Sequence, residues 1–151
     1  MLKEQLHLSL TDLEKNDWGE PSFGSYAVPQ CHALRKKRLM DLSHEEIRLA
    51  IGQQIGLPYL VPLALDVLKE DPLVDVTFYD GDMFQVVLGV EADFWSQNPD
   101  LWEQALDVSE EFWRQAAADP TRLGSQEKRI RIQYDVFLGN CPPRRRKKGR
   151  R

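Results

Sequence analysis

Histidine and cysteine are scarce in this chain, with three and two copies among 151 residues. Two thiols, Cys31 and Cys141, are too few for the disulfide framework of a small secreted domain, so reduced thiols are expected. A structural zinc site takes about four ligands, usually paired at short spacing. Cys31-His32, His44 and Cys141 supply neither CxxC nor HxxxH, and no metal is expected. A Gly-rich phosphate loop is also missing. Asp80-Gly81-Asp82 resembles a fragment of a calcium loop, but the later ligands, including the closing Glu, are not there. No apolar run reaches the roughly 18 residues of a membrane span, because Asp66 and Lys69 break the richest stretch. The N-terminus, MLKEQLHLSLTDLE, has acids where a signal peptide would be apolar. A cytoplasmic protein is expected, with no cofactor. A cysteine hydrolase would need Cys31 paired with His7 or His44, since adjacent Cys31 and His32 point apart on any regular backbone. Carboxylates are plentiful, yet nothing sets two of them in an apolar pocket. The chain is not expected to be an enzyme.

What is present is a helical core. At 42% hydrophobic, the length suits one compact domain, residues 1–141, followed by a disordered basic tail, 142–151. SLTDLEK, residues 9–15, reads as a short helix capped by Ser9 or Thr11, with Thr11 and Glu14 at capping-box spacing. The Gly-, Ser- and Pro-rich stretch to Gln30 reads as a loop pinned by Trp18, Phe23 and Tyr26. Ser43 and Glu46 form a second capping box. Behind it Ile47, Ala50, Ile51, Gln54 and Ile55 make one stripe, ended by Gly56 as C-cap. Leu60, Leu63, Ala64, Val67 and Leu68 make the next, with Pro62 placed in the first turn and Asp71-Pro72 as the stop. Val74, Val76 and Phe78 alternate as a short strand would, before a turn at Tyr79–Asp82 and a short helix carrying Phe84, Val87 and Leu88. Asn98-Pro99 opens a long helix to Ala117, with Leu101, Ala105, Val108, Phe112 and Ala116 in line beside Trp102, Leu106 and Trp113. Ser125 can cap a last helix carrying Ile130, Tyr134, Phe137 and Leu138, where the alternation of Ile130 and Ile132 also allows a strand. The expected fold is mainly α, five or six helices with room for one short β element.

Charge is sorted by sign. Arg144 to Arg151 hold seven Lys or Arg and one Gly. The preceding 143 residues carry 13 bases against 24 acids, and from Asp66 to Asp119 there are 14 acids and only Lys69 and Arg114 as bases. A field of one sign steers an oppositely charged partner and raises its association rate. The tail has no apolar side chain to bury and cannot fold by itself. It and the basic run Arg35-Lys36-Lys37-Arg38 support an alternative reading, a nucleic-acid-associated regulator, in which affinity would fall steeply with salt. The acidic body opposes that binding, leaving only weak contact through Arg144–Arg151.

From Asp17 to Phe94 the sequence resembles a known family. Asp17-Trp18-Gly19-Glu20-Pro21, Cys31-His32-Ala33-Leu34-Arg35, Arg48-Leu49-Ala50-Ile51-Gly52-Gln53, Ile55-Gly56-Leu57, Tyr59-Leu60-Val61-Pro62-Leu63-Ala64, Phe78-Tyr79-Asp80-Gly81-Asp82 and Phe94-Trp95 follow the pattern of contact-dependent growth inhibition immunity proteins. The resemblance implies a monomeric cytoplasmic antidote that binds the toxic C-terminal domain of a delivered effector, without catalysis or cofactor. Many such toxins are nucleases, whose phosphate-holding surface is basic, and an acidic protein competes for it. The toxin-binding residues are therefore expected on an acidic face, at Asp71, Asp75, Asp80, Asp82, Glu91 and Asp93, with Tyr79 and Trp95 as aromatic anchors.

Overall fold

A computed structural model describes residues 3–15 and 27–142. Among them there are eight α-helices, two short 3-10 segments and no strand. The loop aromatics Trp18, Phe23 and Tyr26 and the tail Arg144–Arg151 lie outside the described residues.

Local signals explain most of the helices. In α1 (Leu10–Glu14) the capping box joins Ser9 and Asp12, each side chain accepting the other's backbone N–H at 3.1 Å. The expected Thr11–Glu14 box is not the one used. α2 (Ala27–Leu34) occupies sequence that reads as loop because it contains Pro29. That proline sits in the first turn, where its missing N–H has no helical partner to lose. α3 (His44–Gly52) starts at the Ser43–Glu46 box, with bonds of 3.1 and 3.0 Å. It stops four residues before Gly56, which instead caps the N-terminus of α4 (Leu57–Glu70) at φ 62°. A Cβ on Gly56 would come within 2.7 Å of the Leu10 side chain, so backbone conformation and packing both require glycine there. Pro62 lies one turn deeper in α4 than expected, and the helix forgoes one backbone bond there.

After α4 come α5 (Asp82–Leu88), α6 (Ala92–Gln97), α7 (Pro99–Ala118) and α8 (Gln126–Gly139). The alternation of Val74, Val76 and Phe78 yields only an isolated antiparallel bridge between Asp75 and Asp80. A lone strand segment has no sheet to join here, because every neighbouring element is a helix.

The core forms around α4, whose Leu60, Val61, Ala64, Leu65 and Leu68 have no exposed surface. α3, α5 and α7 pack on it, and α8 closes over α5. Aromatic rings tie the second half together: Phe84 stacks on Phe112 at 3.9 Å and Trp102 on Phe137 at 4.4 Å, offset-stacking distances that add to simple burial. One hydrophobic cluster runs from Leu10 to Phe137, so the helices hold the α4–α5 loop against a continuous support.

Candidate interaction surface

The segment joining α4 to α5, with Asp82 at its end, contains four of the six acidic residues singled out by sequence, and it is ordered by its own backbone. Asp71 ends α4, its N–H still donating to the Val67 carbonyl at 3.0 Å, and Pro72 prevents a further turn. Leu73 drops fully into the core. At the other end Gly81, at φ 89°, returns its N–H to Leu73 and Val74 at 3.1 and 3.3 Å. A side chain at Gly81 would press on Phe112 and Ile130 at 3.2 and 3.3 Å, so the turn needs glycine for space and for torsion. Between these anchors the Asp75–Asp80 bridge closes a six-residue loop.

Asp82 fills that loop from within. Its carboxylate accepts the backbone N–H groups of Val76, Thr77 and Phe78, each at 2.8 Å, and its side chain is 3% exposed. Placement in the first turn of α5 adds the favourable end of the helix dipole. The same residue thus starts a helix and moulds the loop before it. Arg48, from α3, donates to Thr77 Oγ1 at 2.9 Å and sets its guanidinium 4.7 Å from the centre of the Phe78 ring. Tyr79 donates its hydroxyl to Gln85 Oε1 on α5.

Of the expected acids besides Asp82, three lie on the loop and two at the start of α6. Asp71 and Asp75 are exposed on the loop, and Asp80 lies half-buried beside them. Asp80 accepts from Arg122 Nε at 2.9 Å. That hydrogen bond, with Asp71 and Asp119 nearby, raises the Arg122 pKa further above its already high value. Sequence reading missed Arg122 and has Asp119 only as the end of the acidic span. Arg122 stands 42 residues from Asp80, and no local pattern couples them. Glu91 and Asp93 are exposed at the start of α6. The seven residues of α5 separate them from the loop, an axial distance of about 10 Å. Gln54 pins that second site, donating to the Gly89 carbonyl at 3.1 Å and accepting from Glu91 N–H at 3.2 Å.

Two expected contact residues are interior. Trp95 has no exposed surface and meets Phe94, Trp102 and Phe137 edge-on at 5.4 to 5.8 Å. Asp82 is engaged by the loop backbone as described. Neither side chain can reach a partner without opening the core, so both act as scaffold.

The other chemistry weighed from sequence fares as follows. Arg35 is buried in an ion pair with Glu14, Lys37 pairs with Glu46 at 2.8 Å, and Arg38 pairs with Asp41 at 2.7 Å. The basic run is therefore met by acids of neighbouring segments. Cys31 is buried, and burial pushes its thiol pKa up, away from the thiolate a nucleophile needs. Among the described residues no group of three or more His, Cys, Asp or Glu is placed to hold a metal, and no helix is long and apolar enough to cross a membrane.

Comparison with the curated proteins and with solved structures returns no match to either. The family model of the CDI immunity proteins matches residues 12–105, more than half of the chain. That stretch runs from α1 into α7 and includes the ordered loop with its Asp82 clamp. The chain belongs to the family of contact-dependent growth inhibition (CDI) immunity proteins.

Proposed function

We propose that this protein neutralises a cognate toxin domain in the cytoplasm by binding it one to one, without catalysis, through the acidic α4–α5 loop. Family membership over residues 12–105 carries the reading. Exposed Asp71 and Asp75 beside half-buried Asp80 support the choice of surface. So does the charge of the segment Asp66–Asp119, 14 acids against two bases. A toxin that grips nucleic-acid phosphates would present the complementary basic surface, and acids placed opposite it raise the association rate and reject other partners. Glu91 and Asp93 extend the same field from the far end of α5, and Tyr79 braces the loop through Gln85.

The nucleic-acid reading gains nothing from the fold, since Arg35, Lys37 and Arg38 each meet a carboxylate. The decisive experiment co-expresses the chain with the toxin domain encoded beside it. Survival of the cells supports the proposal; death as rapid as with empty vector overturns it.

A further inference from the structure

Phe78 is 67% exposed, the largest value among six exposed large apolar side chains in the described residues, and it is the sole aromatic of that set. The other five are aliphatic or Met: Leu8 and Met40 on the N-terminal segments, and Ile132, Val136 and Leu138 on α8. An aromatic ring at the tip of a loop this tightly built is a different matter. Three 2.8 Å bonds to Asp82 fix the backbone of residues 76–78. The Asp75–Asp80 bridge closes the loop below the ring. Arg48 sets its guanidinium 4.7 Å from the ring centre and donates to the neighbouring Thr77 Oγ1 at 2.9 Å. The ring thus stands in water with its position already determined, and little conformational freedom remains to be lost on binding.

We infer that Phe78 is the anchor of the toxin interface, seated in an apolar recess of the toxin domain that is rimmed by cations. The inference rests on the toxin-binding reading above and adds the residue that holds the complex. The occupant follows from charge complementarity. Exposed Asp75 lies in the same loop as the ring, and exposed Asp71 stands just before it. An apolar partner surface alone would strand those carboxylates without water, at a cost in affinity. A recess with Lys or Arg at its edge satisfies ring and carboxylates together. Beside Phe78 a groove of about 710 Å³ runs between α2 and α3, with Ala33 and Leu49 among its walls and Lys37, Glu45, Glu46 and Arg48 as its charged lining. Aromatic residues are enriched in the small set of interface positions that carry most binding energy. The acids, by contrast, act mainly on encounter.

The test measures association and dissociation rates of the full chain with the isolated toxin domain, for wild type, Phe78→Ala, Phe78→Trp and the pair Asp71→Asn/Asp75→Asn. Phe78→Ala is expected to raise Kd about 30-fold, as loss of an interface anchor does, with the change almost wholly in dissociation. Its unfolding midpoint should match wild type, because the ring is exposed. Phe78→Trp should keep most of the affinity. The Asp pair should slow association and leave dissociation nearly unchanged. A Phe78→Ala dissociation rate within about threefold of wild type overturns the inference while leaving toxin binding intact. Failure of wild type itself to bind would sink the parent reading.

Discussion

The basic run Arg35–Arg38 and the acidic loop Asp71–Asp82 look equivalent as sequence, each a cluster of one sign. Folded, they differ in what answers the charge. Arg35, Lys37 and Arg38 each meet a carboxylate, on Glu14, Glu46 and Asp41. In the loop, among the described residues, Asp80 pairs with a cation, Arg122. Asp82 is answered by three peptide dipoles, which satisfy its oxygens without supplying a counter-charge. Asp71 and Asp75 face water. The first cluster is neutralised by its neighbours and contributes little field; the second keeps its sign. A charge run read from sequence says how many charges there are, and the fold decides how many remain uncancelled.

The sharpest break of this comparison removes Asp82. Asp82→Ala leaves three loop N–H groups without acceptors and a void where a buried carboxylate sat. Each orphaned buried donor costs about 1–3 kcal/mol unless water reaches it. Partial rearrangement of the loop brings the expected loss to about 3 kcal/mol, measured as the shift in urea unfolding free energy. Asp82→Asn should recover part of it through the remaining carbonyl oxygen. A loss under about 1 kcal/mol would mean that the loop is held by the Asp75–Asp80 bridge and Gly81 instead. Next in size is the kinetic effect of the uncancelled acids. Asn at Asp71 and Asp75 should lower the toxin association rate about tenfold at low salt and flatten its salt dependence. Arg122→Ala should raise the rate, because it frees the Asp80 charge. Equal rates for all three proteins would remove the loop from the interface.

Sequence legibility followed the range of the interaction. The Ser43–Glu46 box was visible because both partners lie within one turn. The apolar stripes of α4 and α7 were visible because burial repeats at the helical period. α6, only six residues long, offers too few turns for a period, and α2 was concealed by Pro29. At the loop, the turn at Tyr79–Asp82 and the short helix after it were legible, and Asp82 opens that helix. Its grip on residues 76–78 was not legible, because that depends on the positive-φ turn at Gly81, which folds the loop back onto it. Trp95 stands two residues from exposed Asp93 in sequence. Its burial comes from Trp102 and Phe137, on helices that arrive later in the chain. Phe78 was taken into the strand-like alternation, and its exposure follows from the loop being closed beneath it. Asp80–Arg122 could not be seen at all, for want of any local signal across 42 residues.

The smallest effects belong to the neutralised cluster, and their smallness is the point of comparison. Lys37→Ala should change stability by at most about 0.5 kcal/mol, the usual worth of a partly exposed pair, and Arg38→Ala by nothing measurable. Glu46 tests the same cluster through pH. Burial alone would raise its carboxyl pKa, but the Lys37 ammonium and the Ser43 N–H outweigh burial and hold it below the ordinary glutamate range. A carboxyl whose folded pKa lies below its unfolded one binds fewer protons in the native state, so it adds stability above the unfolded value. That contribution fades as pH falls through the folded value. Glu46→Gln should therefore cost about 0.5 kcal/mol near neutrality and progressively less from about pH 4.3 downward, where the wild-type carboxyl protonates and the two proteins converge. Urea midpoints of both proteins across that range read the difference directly. Asp41 and Glu111, held low by Arg38 and Arg114, titrate alike in both proteins and cancel from it. A gap that stays constant or widens on acidification would mean that neither Lys37 nor the Ser43 N–H favours the charged carboxylate.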